Sequence, residues 1–101
     1  MELLRCSELS QQGRAYVEFL RTQHLSAGIY RLPVGAPDNQ QPHGQDEIYY
    51  VIAGIASFRA GQRNVSVAPG DILFVPANEP HDFHEITEDL ELLVFFAPPE
   101  G

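Results

Sequence analysis

Turn-forming residues are spaced so closely along this chain that they leave room only for short extended runs. Segments rich in β-branched, aromatic and aliphatic residues recur at short intervals, bounded by Gly, Pro, Asn or Asp. Candidate strands lie at 15–20 (AYVEFL), 24–32 (HLSAGIYRL), 46–53 (DEIYYVIA), 55–60 (IASFRA), 63–68 (RNVSVA), 71–75 (DILFV), 81–86 (HDFHEI) and 90–97 (LELLVFFA). No useful length carries the helical period, although residues 7–12 (SELSQQ) can form a short turn after a serine cap. Eight short strands predict an all-β fold, a barrel or jelly roll. AGQR at 60–63 predicts a tight hairpin, its glycine free to take positive φ, and APGD at 68–71 a second turn.

A length of 101 residues suits one domain with one modest core. The expected division is a single domain over 1–101, with an N-terminal arm at 1–14 and a barrel core at 24–97. Six arginines, no lysine and fourteen acidic residues give a formal charge of −8, which repels nucleic acid and anionic membranes. Without lysine, Schiff-base chemistry and a lysine base are excluded. Six acids between Glu79 and Glu91 read as a solvated face. Cys6 is the single cysteine, so no internal disulfide forms, and it reads as a space-filling residue. No window approaches the length of a membrane span and no leader pattern is present, so the expectation is a soluble cytoplasmic protein.

Residues 33–45 (PVGAPDNQQPHGQ) form the longest stretch without apolar periodicity, and a rigid scaffold commonly presents such loops for function. In extended backbone, alternate side chains share a face, so Gln41, His43, Gln45, Glu47 and Tyr49 project together. Joined by His81 from another strand, His43 and Glu47 would supply two imidazoles and a carboxylate to a divalent ion, with positions left open for water or substrate. Spacing alone leaves open the alternative of histidines satisfied by ordinary hydrogen bonds.

Two segments resemble the paired motifs of the cupin superfamily. In the first, Gly35 is followed by five residues to Gln41, then Pro42 and His43, three residues to Glu47 and six to Gly54. In the second, Gly70 is followed by five residues to Pro76, then Ala77, Asn78, two residues and His81. Three positions depart from the pattern: Gln41 stands in place of the first motif histidine, Asn78 in place of a glycine, and Glu85 in place of an asparagine. Asparagine tolerates the left-handed conformation, so Asn78 is a mild change. The resemblance implies a small double-stranded β-helix, a jelly-roll barrel with His43, Glu47 and His81 as metal ligands. Gln41 would either coordinate through its amide oxygen or hydrogen-bond a metal-bound water or a substrate. Fe(II), Mn(II), Ni(II) and Zn(II) all suit these donors, with Fe(II) or Mn(II) ahead of zinc. The activity implied is that of a small enzyme acting on an oxygen-rich metabolite, dioxygenase- or isomerase-like. The departure at Gln41 keeps open a non-catalytic module that binds a small molecule or sugar in a degenerate or metal-free site.

Among neighbouring residues, Tyr49 reads either as a core residue or as a candidate to meet substrate or a ligand's partner, while Tyr50, on the other face, reads as packing. Phe83 reads as a pocket wall. His84 has the opposite parity from His81 and reads as a surface residue, or as an alternative ligand if a bulge reverses it; His24 opens a candidate strand far from either motif and is not expected to bind metal. Arg31 would hold an anionic substrate or make a surface ion pair. Ile29, Val51, Ile52, Val67, Ile72, Leu73, Leu92 and Val94 are expected in the core, with Phe58, Phe74, Phe95 and Phe96 filling the barrel or a subunit interface. Apolar side chains on both faces of some strands call for a cover, most economically a homodimer.

Overall fold

The computed structural model describes residues 1–9, 11, 13–38 and 42–100. After a 3-10 turn at Cys6–Glu8 come six strands: β1 (Tyr16–Arg21), β2 (Ser26–Leu32), β3 (Asp46–Ala60), β4 (Arg63–Val67), β5 (Ile72–Val75) and β6 (His81–Ala97). All pairings are antiparallel. The order is β1-β2-β6-β3-β4, with β5 also on β3. β3 keeps β6 along one edge, while its other edge pairs first with β5, through Glu47–Tyr50, and then with β4, through Ala56–Ala60.

Two of the expected strand boundaries are bends inside longer strands. Segments 46–53 and 55–60 form one strand, β3, and segments 81–86 and 90–97 form another, β6. The β3–β6 register slips between Val51 and Ala53, between Ala53 and Ile55, and between Ile55 and Ser57. Gly54 lies within this region at φ +98, where a Cβ would stand 2.4 Å from the Asp89 carbonyl oxygen and 2.6 Å from Leu90 Cα. Glu85 bends β6 at φ +48. A residue in the left-handed region inside a ladder bends the strand without ending it, which is why turn-forming residues read as stops.

Other local expectations meet the structure more directly. The 60–63 hairpin forms with Ala60 paired to Arg63 and Gly61 at φ +58. The 68–71 turn is closed by Asp71 N–H donating to Ala68 O (3.1 Å) and Ala68 N–H donating to the Asp71 carboxylate (2.9 Å). The turn expected at 7–12 is instead the one at Cys6–Glu8, capped by no side chain, because Glu8 N–H bonds the Arg5 carbonyl (2.9 Å); Ser10 and Gln12 lie outside the described residues. β2 begins at Ser26 instead of His24, since Thr22 Oγ1 accepts from the amides of both His24 and Leu25 (3.1 Å each) and closes a local turn.

Alternation along β3 buries Glu47, Tyr49 and Val51 and turns Ile48 and Tyr50 outward. The core joins Tyr49, Val51 and Phe58 to Phe83, Leu92 and Phe96 across the sheet. Ile72, expected in the core, is 68% exposed: it pairs with outward-facing Tyr50, while Leu73 pairs with buried Tyr49. Phe74 stands on the same outer face at 61% exposure. No helix among the described residues is long and apolar enough to cross a membrane.

The bend at Gly54 generates a test. Gly54→Ala combines a strained φ with a backbone clash and is expected to cost about 2 kcal/mol or more. Asn78→Gly, at φ +69, should be neutral or stabilising. Urea denaturation of both variants, with equal losses or none at Gly54, would count against the bend as the strained point.

Candidate metal centre

Two loops and two strand ends deliver the candidate donors. His43 lies in the loop three residues before β3, Glu47 is the second residue of β3, and His81 opens β6. The loops are tied together by Asn78 N–H donating to the His43 carbonyl (2.6 Å) and by Ala77 N–H donating to the Asp46 carboxylate (3.0 Å). Asn78 reaches this bond from the left-handed region at φ +69, where the motif carries glycine.

One donor atom from each of His43, Glu47 and His81 lies within 4.8 Å of the others. Donors 2.0–2.2 Å from a single ion stand roughly 3–4.4 Å apart, so the group needs only a small closure to share one. His81 Nδ1 lies 2.8 Å from the Glu79 carbonyl, which can only accept, so this nitrogen carries the proton. His81 Nε2 then faces inward, 3.1 Å from the Tyr49 hydroxyl and 3.0 Å from Glu47 Oε1. The Glu47 contact has ion-pair distance without hydrogen-bond alignment. Both Glu47 oxygens and His43 Nε2 are therefore buried with no hydrogen-bond partner among the described residues. On its other side, His43 presents Nδ1 to Glu100 Oε2 at 3.2 Å.

Burial pushes the His81 pKa down, but the Glu47 carboxylate and the Glu79 carbonyl together outweigh it, and the net direction is up. Desolvation raises the Glu100 carboxyl, opposed by His43. Burial also raises Tyr16 and Tyr30, the latter reinforced by its bond to Asp38, so both phenols remain hydrogen-bond donors.

A cavity of about 140 Å³ adjoins the donors, lined by Tyr16, Tyr30, His43, Glu47, Val94, Phe96 and Glu100. Larger hollows, about 360 and 380 Å³, are lined by none of the three donors. Tyr16 lies flat across Gly28, where a Cβ would stand 2.2 Å from its Cζ and hydroxyl. Its ring meets Tyr30 and Phe96 edge-on, at 6.2 and 6.3 Å, and its hydroxyl is buried without a hydrogen-bond partner among the described residues. Tyr30 donates to Asp38 at 2.6 Å, and the other Asp38 oxygen accepts from Phe83 N–H at 2.8 Å, pinning the loop over the barrel.

The structure thus brings His43, Glu47, His81 and Tyr49 together; Gln41 lies outside the described residues. Phe83 is core and not a cavity wall, since its ring packs against Tyr49 and Phe58 at 5.0 and 4.6 Å. His84 remains on the surface with Nε2 2.9 Å from Asn64 Oδ1, and His24 is exposed. Arg31 pairs with Glu91 at 2.9 Å and Gln11 at 2.7 Å, away from the cavity lining, and so does not hold a ligand there. Tyr16, Tyr30 and Glu100 carried no motif, and Glu100 lies beyond the expected barrel core. Only the strand parity of the two tyrosines hinted at their direction.

The Cupin domain family model matches residues 28–96, more than half of the chain. The chain belongs to the cupin family. This cupin is 43% identical over 105 positions to the uncharacterized protein SCO3923 of Streptomyces coelicolor, with full coverage of both chains. Its fold superposes on TT1209 from Thermus thermophilus with a TM-score of 0.79, at 26% identity and covering 98% of this chain and 99% of that one. It superposes on KdgF from Halomonas sp. with a TM-score of 0.75, at 23% identity and covering 82% and 76%. The fold is the all-β double-stranded β-helix, the jelly-roll barrel of cupins.

Folded His81 has a pKa above its ordinary value of 6.5. A raised pKa contributes stability fully below the unfolded value and loses it as pH rises through the folded one. In chelator, the melting temperature should therefore fall as pH rises from about 6 through the raised His81 value, and His81→Gln should flatten that slope. A wild-type melting temperature that rose over that range would contradict the pairing with Glu47.

Proposed function

We propose that this cupin holds one divalent first-row metal ion at His43, Glu47 and His81. It acts as a small enzyme on a small oxygen-rich metabolite, in dioxygenase- or isomerase-like chemistry. The observation that carries this reading is a buried carboxylate turned towards two imidazoles, with both oxygens and one facing nitrogen lacking hydrogen bonds among the described residues. A buried carboxylate whose oxygens accept no hydrogen bond is costly, and a cation among these donors offsets that cost. When bound, such an ion polarises a ligand oxygen or activates one.

The chain's own residues do the rest. Glu79 holds the His81 ring through Nδ1–H, leaving Nε2 for the ion, and the Tyr16 hydroxyl is available to an acceptor oxygen of the ligand. Val94 and Phe96 give the cavity an apolar wall. At about 140 Å³ it holds the volume of roughly four or five waters, which suits a ligand of few heavy atoms. Among the described residues no arginine lines it, and a divalent ion there would be balanced by Glu47 and Glu100, so recognition favours hydroxyl and carbonyl oxygens over multiple negative charges. The alternative, favoured by Gln41 in the motif, is a binding module without turnover.

Elemental analysis of protein purified without chelator is expected to find about one first-row ion per chain. A folded His43→Ala His81→Ala variant should lose divalent-ion binding by at least about a hundredfold. Equal binding by variant and wild type overturns the metal centre. Oxygen uptake or isomerisation of a small hydroxy-carbonyl compound, abolished by Glu47→Ala, would count against the binding module.

The homodimer belongs to the same proposal. Ile48, Tyr50, Ile72, Phe74 and Phe95 stand on one outer face, in cross-strand rows where Ile48 neighbours Phe74 and Phe95. A continuous exposed apolar face of this kind marks an interface, and two-fold pairing of identical faces would cover it. Phe74→Glu is expected to shift a dimer to monomer in analytical ultracentrifugation, with the circular dichroism of the fold retained. A wild type that is monomeric at high micromolar concentration sinks the idea.

A further inference from the structure

Glu100 lies on a segment that crosses back to the site after β6 has ended at Ala97. Its backbone is anchored at both polar atoms: Glu100 N–H donates to Ser26 Oγ at 3.0 Å, and the Arg21 guanidinium donates to the Glu100 carbonyl. One residue earlier, the Gln45 side-chain amide donates to the Pro99 carbonyl at 3.4 Å. Ser26 is completely buried. These anchors hold 99–100 as a strap from β1 and β2 to the start of β3, and the Glu100 side chain drops from it into the cavity wall.

We propose that Glu100 is a positioning residue for the metal centre, resting on the metal reading above: its carboxylate fixes the His43 ring with Nδ1 protonated and Nε2 turned to the ion. A carboxylate accepts only, so the ion-pair contact at 3.2 Å favours the proton on Nδ1, and the buried Nε2, without a hydrogen-bond partner among the described residues, is left as the donor nitrogen. Phe96 packs edge-on against the same ring at 4.9 Å and limits its rotation. The two histidines are thus oriented differently. His81 uses a backbone carbonyl two residues away, whereas His43 uses a charged group from the far end of the fold. A carboxylate in this position also makes the imidazole a stronger donor, and removal of such partners commonly weakens metal binding 10- to 100-fold.

The strap is held through main-chain atoms of Glu100, so replacing its side chain leaves those anchors in place. Glu100→Ala is expected to weaken Zn(II) affinity, measured by chelator competition, about 10- to 100-fold, and Glu100→Gln, whose amide oxygen still accepts from Nδ1–H, to recover most of that loss. In metal-free protein, nitrogen-15 spectra should show His43 with the proton on Nδ1 in wild type and Glu100→Gln, and a mixture of tautomers in Glu100→Ala. Wild-type Zn(II) affinity in a folded Glu100→Ala variant, or a wild-type His43 protonated on Nε2, overturns the proposal. A wild type that binds no Zn(II) overturns the metal reading itself, and the metal-free tautomer then decides separately whether Glu100 orients the ring.

Discussion

Everything at the site depends on the curl of one strand pair. β3 and β6 run antiparallel from Asp46–Ala97 at one end to Ala60–His81 at the other. On a flat ribbon Glu47 and the residue opposite His81 would stand about 40 Å apart, at roughly 3.3 Å per residue. In the folded chain Glu47 and His81 are 3.0 Å apart. The register slips around Gly54 supply the bend, and the hydrogen bond from Asn78 to the His43 loop fastens the ends once they meet. A uniform ladder with perfect register would leave these two ends far apart and have no site.

The curl also sets the electrostatics. It carries a carboxylate into an apolar interior among Phe58, Phe83 and Phe96, where hydrogen bonding is scarce. The net −8 charge gives it no general cationic surroundings, and two of the arginines are engaged at the periphery, Arg31 with Glu91 and Arg59 with Asp82. Positive charge beside Glu47 is therefore supplied locally, by His81 when protonated or by a cation. A proton and a metal ion at this imidazole would compete, so a bound metal would be held more tightly as pH rises and the histidine gives up its proton.

The all-β rhythm, the hairpin at 60–63 and the face shared by His43, Glu47 and Tyr49 were legible because each rests on local backbone chemistry. The motif positions carried conformational information too: Gly35, Gly54 and Gly70 all have positive φ, and so do Asn78 and Glu85, where this chain departs from the pattern. The departures therefore keep the bend while changing the residue. Strand continuity through Gly54 was not legible, since a bulge and a turn use the same residue. Ile72 was misplaced because its apolarity says nothing about parity in a four-residue strand. Tyr16 and Glu100 reach the site only through tertiary crossing, which no spacing encodes.

Gly28 contributes no side chain to the cavity, yet it decides the cavity's shape. Its missing Cβ is the seat on which the Tyr16 ring rests. A methyl group there would displace the Tyr16 ring, one wall of the cavity, and open the cavity towards β1. The gauge of the cavity is thus set from behind the wall, by a residue that lines none of it.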